Sequence, residues 1–291
     1  MATKPNKSEK MEEGQVLKRW PKYASPKLDG IRGSTQDGAV LSNSLKHIPN
    51  VHIQNAYAPY QGLDGEFLTG DPTDALACNT TFSVVMSQDK PITDTKFYVF
   101  DQINLQDPFW LRLQNYRGVQ LPESLFVVIP QIEVHNMEQA MECYRRFIAM
   151  GYEGMMLRSA DSIYKPGRST AKSEELLKFK EQDDAEFTVE GFYEAMHNLN
   201  EAYTNELGRT ARSSHQENKV GKGMIGGFLT SYNGQPMRVS AGKLTHKERQ
   251  HIWENQAEYM GRLGVYTYMV HGQVDLPRQG RFKTWRSPDD L

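Results

Sequence analysis

Apolar positions along this chain come mostly in short runs separated by polar turns, with few long amphipathic stripes. Residues 39–42 follow an Asp37-Gly38 turn signal and read as the return strand of a hairpin. Residues 63–68, 97–103, 126–129, 152–158 and 176–180 read as further short strands, with isolated carboxylates set among buried neighbours. Lysines alternate in 176–180, so Lys178 and Lys180 point to one side. Two segments carry the helical period instead. Residues 107–117 place Pro108 in a first turn. Residues 136–149 carry a stripe through Met137, Ala140, Tyr144 and Phe147, with Asn136 as cap and Gly151 as stop.

Beyond residue 184 strands dominate, at 186–193, 226–232, 237–240 and 265–270. One helix, 245–260, interrupts them and opens on a Thr245/Glu248 capping box. Residues 199–222 form a long polar insertion, of a length that is usually functional or disordered. The pattern predicts an α+β fold: a disordered, polar stretch at 1–14, a first domain at 15–183 and a small β-barrel domain at 184–291.

Composition removes some classes and adds little else. The 291 residues carry a net charge of −2, so any nucleic-acid footprint must be local. Residues 207–286 supply one, with a clear excess of Lys and Arg over Asp and Glu. Two cysteines, far apart, exclude a disulfide framework or a zinc knuckle and suit a reducing compartment. The polar amino terminus lacks the apolar core of a secretory leader, and no run is long enough for a membrane helix. A cytoplasmic, monomeric protein that is not secreted is expected. Gly221-Lys-Gly223-Met-Ile-Gly226 matches a dinucleotide fingerprint, but a strand-like segment follows it where that fingerprint needs a helix.

The chemistry concentrates at Lys27-Leu-Asp29-Gly30-Ile-Arg32. Pro26 delivers the chain to Lys27 extended, and Gly30 allows a tight turn or a close backbone approach. Four further charged elements follow in order: Asp64-Gly-Glu66, Phe100-Asp101, Glu153-Gly154 and Lys178-Phe-Lys180. A nucleophilic lysine must be neutral, and a free lysine is neutral in only about one molecule in 2,500 at pH 7. Lys178, Lys180, Arg32 and a metal ion could depress that pKa and also neutralise phosphates. By pattern alone Phe100 also reads as core, and Asp29, Asp64 and Asp101 also read as residues that orient neighbours or shape turns.

This ordered set resembles that of the covalent nucleotidyltransferases, which include ATP-dependent DNA ligases, RNA ligases and capping enzymes. Leu176-Leu-Lys-Phe-Lys180 followed by Asp184-Ala-Glu186, and Leu276-Pro-Arg278 followed by Phe282 to Arg286, resemble the DNA ligases, in particular the small bacteriophage type. The resemblance implies a nucleotidyltransferase domain of antiparallel sheets with helices, followed by an OB-fold barrel. It implies ATP as cofactor, Mg²⁺ (Mn²⁺ possible) as metal, and nicked duplex DNA as partner. It makes Lys27 the nucleophile, with Lys178 and Lys180 as catalytic cations. It assigns Arg32, Glu66, Phe100, Glu153 and Arg286 to the nucleotide, with Phe100 stacking on adenine and Arg286 meeting the pyrophosphate. Glu153 and Glu66 become the metal carboxylates, and Mg²⁺ suits so sparse a set because it keeps water and phosphate ligands. Arg209, Arg212, Lys219 and Lys222 of the insertion are expected to contact DNA. Two positions depart from the ligase pattern: Asn43 and Thr284 stand where arginine is usual.

Overall fold

The computed structural model describes residues 2–11, 15–180, 182–204, 210–213, 215–271 and 275–286. The chain divides into two compact units, Met1–Lys180 and Glu181–Leu291. No helix among the described residues is long and apolar enough to cross a membrane.

The first unit holds two five-stranded sheets. One runs Glu9–Lys10, Leu176–Lys180, Gly154–Ser159, Lys22–Lys27, Ile132–Val134. The other runs Ala39–Ser42, Ile31–Gln36, Leu63–Thr69, Thr95–Gln102, Phe126–Val128. Most pairings are antiparallel. Asp37 and Gly38 both take positive φ, the two-residue turn their sequence demands. The second sheet is built on an aromatic core in which Phe67 and Phe97 stack at 4.5 Å and Tyr57 meets both edge-on. The first sheet packs on helix Met137–Ala149 through Ala140 and Phe147, and the Asn136 side chain caps that helix by accepting from the Gln139 N–H. Pro108 is the cap of helix Phe109–Arg117 and not part of its first turn. Helices Val51–Tyr57 and Ala77–Val85 lie where no helix was expected.

The amino-terminal stretch corrects the expectation of disorder. Asn6–Lys7 pairs in parallel with Gly167–Arg168, and Glu9–Lys10 pairs in parallel with Leu177 and Lys178. Asn6 is fully buried. Short polar strands of this kind leave no periodic mark in a sequence.

The second unit has a six-stranded sheet: Gln182–Thr188, Leu263–Met269, Arg278–Trp285, Gln235–Ser240, Lys219–Tyr232, Gly191–Asn198. Its core gathers Phe187, Phe228, Ile252, Tyr266 and Phe282. The Thr245/Glu248 capping box forms, but its helix divides into His246–Glu254 and Gln256–Tyr259. The expected strand 186–193 is two strands, parted at Val189 and Glu190. The pairings among the described residues make an open sheet and do not close a barrel. Within the polar insertion Ala202–Thr204 pairs with Thr210–Arg212, and its end belongs to the long strand Lys219–Tyr232.

Candidate active site

Sheet register brings the lysines together. Gly154 pairs with Lys27 on one side and with Lys180 on the other, so the two amines flank it across three strands. Two residues along, Met156 pairs with Ser25 and with Lys178. Side chains repeat every second residue, so Ser25, Lys27, Met156, Lys178 and Lys180 share one face. Gly154 is required for a close approach: a Cβ there would lie 2.1 Å from the Phe179 carbonyl oxygen. Glu153, just before it and buried, is placed between both amines, its Oε2 accepting from Lys27 Nζ and its Oε1 from Lys180 Nζ.

The second sheet supplies the opposite wall. Arg32 pairs across strands with Glu66. The Glu66 carboxylate accepts from the Gly30 N–H at 3.1 Å. Gly30 is also needed for packing, because a Cβ would lie 2.3 Å from the Phe67 carbonyl oxygen. Register slips between Asp64 and Gly65, whose partners are Asp101 and Val99, leaving Phe100 as the extra residue of a bulge. A bulge re-aims its side chain. Phe100 lines the cavity, 5.0 Å from the Arg32 guanidinium.

Between the walls lies a cavity of about 560 Å³, lined by Lys27, Arg32, Glu66, Phe100, Lys178 and Lys180 among others. That volume suits a small organic ligand. Asn43 also lines it.

Buried ion pairs hold the walls. Asp64 accepts from Arg32 Nε at 3.0 Å and from the Tyr164 hydroxyl at 2.7 Å. It is therefore a mount for Arg32 and not a turn residue. Asp101 accepts from Arg112 Nε at 2.8 Å and also from Arg158, which itself lines the cavity. Arg112 is fully buried, gives a second bond to Asp101 from Nη2 at 3.1 Å, and donates from Nη1 to the carbonyls of Asp107 and Ser162, at 2.7 and 2.9 Å. Arg112 and Arg158 were not singled out from the sequence, and Tyr164 stood out only as the start of a loop, Tyr164–Thr170, that resembles the ligases.

The electrostatics correct one expectation. Burial acts to lower the Lys27 pKa, but the carboxylates of Glu153 and Glu66 and the Glu153 hydrogen bond outweigh it, and the amine is raised. Lys178 is lowered, by burial and then by Lys180, Lys27 and Arg168. Glu66 is raised by burial, against the pull of Lys27 and Arg32.

Of the remaining expected residues, those that are described belong to the second unit and are not among the residues lining this cavity. Arg286 belongs to the second unit, where it pairs with Glu186. Arg212 donates to the Asn200 carbonyl. Lys219 pairs with Asn198 at the start of its strand, and Lys222 is exposed on the same strand. Arg209 lies outside the described residues. Thr284 is exposed on strand Arg278–Trp285.

The sequence and the fold have counterparts among known proteins. Residues 15–180 match the model of the ATP dependent DNA ligase domain, more than half of the chain. The chain belongs to the ATP-dependent DNA ligase family. The DNA ligase of African swine fever virus (strain Badajoz 1971 Vero-adapted) is 35% identical over 33% of this ligase-family chain and 25% of its own length. That of Enterobacteria phage T6 is 25% identical over 58% of the chain and 33% of its own length. The match thus spans a quarter to a third of these relatives. Among solved structures, the Chlorella virus DNA ligase-adenylate shares 25% identity, covers 98% of both chains and gives a TM-score of 0.55. A Lig E DNA ligase has the same fold at a TM-score of 0.70 and 21% identity, over 97% of this chain and 99% of its own.

Proposed function

We propose that this chain is an ATP-dependent DNA ligase that seals nicks in duplex DNA through a covalent lysyl-AMP at Lys27. The observation that carries the proposal is the pairing of Lys27 and Lys180, which line the cavity, with the buried Glu153 between them. One amine lines an ATP-sized space, with a carboxylate to accept its proton and cations to meet phosphates.

Three displacements follow. Lys27 Nζ attacks the α-phosphorus of ATP: a P–N bond forms, the P–O bond to pyrophosphate breaks, and the amine proton passes to its hydrogen-bond acceptor, Glu153. Lys178 and Lys180 face the charge on the transferred phosphate, where fixed cations act most strongly. The 5′-phosphate at the nick then attacks the AMP phosphorus and releases Lys27. Finally the 3′-hydroxyl attacks the activated 5′-phosphate, forming the phosphodiester and expelling AMP. Phe100, which lines the cavity, is the residue assigned to the adenine, and Glu66 the one assigned to the ribose. Arg286 is the residue assigned to the pyrophosphate.

The donors also suit a divalent metal. Glu153 and Glu66 are close enough to act on one another's charge and both act on Lys27. Two carboxylates are a sparse, hard set that fits Mg²⁺ or Mn²⁺ completed by phosphate and water. Such an ion would supply phosphate neutralisation when bound. The second unit, with its strand-rich fold and local basic charge, is the proposed OB-fold platform for DNA.

Incubation with radiolabelled ATP, then with nicked DNA, tests this. An AMP adduct on Lys27 that survives alkali but is released by acid, as a P–N bond requires, and a sealed strand are expected. Lys27→Ala removes the adduct and joining from ATP while a pre-adenylylated nick is still sealed. Labelling by GTP, sealing of nicked RNA alone, or an adduct on another residue would overturn the proposal.

A further inference from the structure

The family match begins at residue 15, yet the cavity wall does not. Lys7 and Ser8 line it beside Arg168 and Lys178. The segment that carries them is tied down along its length. Thr3 exchanges hydrogen bonds with the Gln36 side chain, at 2.7 and 3.1 Å. The Asn6 N–H donates to the Tyr164 hydroxyl at 3.3 Å, and its side-chain oxygen accepts from Ser169 Oγ at 3.1 Å. The Lys7 carbonyl accepts from the Ser169 N–H at 2.7 Å, and Met11 N–H donates to the Lys178 carbonyl at 3.3 Å. Residues 3–11 therefore form a strap from the second sheet to the first, over one corner of the cavity.

That corner is cationic. Arg168 has a partner in Glu9, at 3.6 Å, but Lys7 forms no ion pair among the described residues. A half-buried lysine with no carboxylate partner among the described residues, beside two more cations and a hydroxyl, is a phosphate cradle by chemistry. The geometry points to Lys7 as a phosphate-contacting residue of this pocket, delivered by the strap. This rests on the reading that the pocket takes ATP. Two phosphates share the chemistry: the polyphosphate of ATP, and the 5′-phosphate of the nick once AMP is in place.

Lys7→Ala and Lys7→Gln separate them, each with melting measured to confirm an intact fold and Lys7→Arg as the rescue. Loss of a charge-assisted contact weakens binding about 10-fold. If Lys7 meets ATP, KM for ATP in adduct formation rises by about that factor, kcat stays within about twofold, and sealing of a pre-adenylylated nick is unchanged. If it meets the nick, the last reaction slows instead and adduct formation is unchanged. Lys7→Arg restores whichever is lost. Both reactions unchanged in the Ala and Gln variants would overturn the inference. Absence of any adduct in the unaltered chain would overturn the function proposed above, a distinct failure.

Discussion

Lys27 meets opposite demands. Burial disfavours its charge, while Glu153 and Glu66 favour it and win in the unliganded protein. The neutral fraction at pH 7 is thus smaller still than the about one in 2,500 of a free lysine. Adduct formation at saturating ATP should climb about tenfold per pH unit between pH 6 and 8, as a single deprotonation requires. Quenched-flow label incorporation measures this, and a flat profile would contradict an amine held as an ammonium. Glu153→Gln removes the largest stabiliser of that ammonium and leaves burial unopposed except by Glu66 and Asp29. The Lys27 pKa of the free protein should then fall below its unaltered value, read by NMR titration of the lysine Nζ. Asp101 is the second residue with a sharp expectation. It satisfies two buried guanidiniums, and breaking a buried pair costs about 3–5 kcal/mol. Asp101→Asn should lower urea-unfolding stability by an amount of that order.

Strand pairing converts these residues into a site, and Gly154 is its hinge point. Alanine there would place a Cβ against the Phe179 carbonyl, between the strands that carry Glu153 and Lys180. Overpacking costs about 1–3 kcal/mol, and a misplacement near 1 Å lowers rate about 100-fold. Gly154→Ala should show both, whereas Gly118→Ala, with ordinary contacts at 3.5 Å, should show neither. The motif residues were legible because register and local spacing agree: Lys27, Glu66, Phe100, Lys178 and Lys180 all line one cavity, and Glu153 lies beneath two of them. The Asn136 cap and the Thr245 capping box were legible for the same reason, since partner and cap are three residues apart. The strap was not, because Asn6 finds Tyr164 and Ser169 more than 150 positions away. Arg112 was not, because nothing local distinguishes a buried helical arginine from an exposed one. Strand Arg278–Trp285 does alternate, with Gly280 and Phe282 inward, but with a glycine at one of its two buried positions the apolar period is faint.

The whole chain is close to neutral, so its affinity for a polyanion must come from where its charge is placed. The basic excess is confined to residues 207–286, within a second unit that is not basic as a whole, and Arg212, Lys219 and Lys222 sit on strands there. Each phosphate neutralised contributes about −0.9 to the slope of log affinity against log salt. The triple variant Arg212→Ala, Lys219→Ala, Lys222→Ala should flatten that slope for nicked DNA, by up to about 2.7 if each meets one phosphate. An unchanged slope would mean that these side chains do not touch the duplex.

Asp101 joins Arg112 and Arg158, and Asp64 joins Arg32 and Tyr164, all deep within the first unit. A carboxylate shared by two guanidiniums makes its neighbours answerable to one another. Losing one member strands a charge, while exchanging a whole set for well-fitted apolar side chains can be close to neutral. In a library that varies one position at a time, 101, 112 and 158 would therefore look intolerant. In one that varies them together, accepted combinations would surface whose single-step intermediates all fail, so each set would change in concert or not at all.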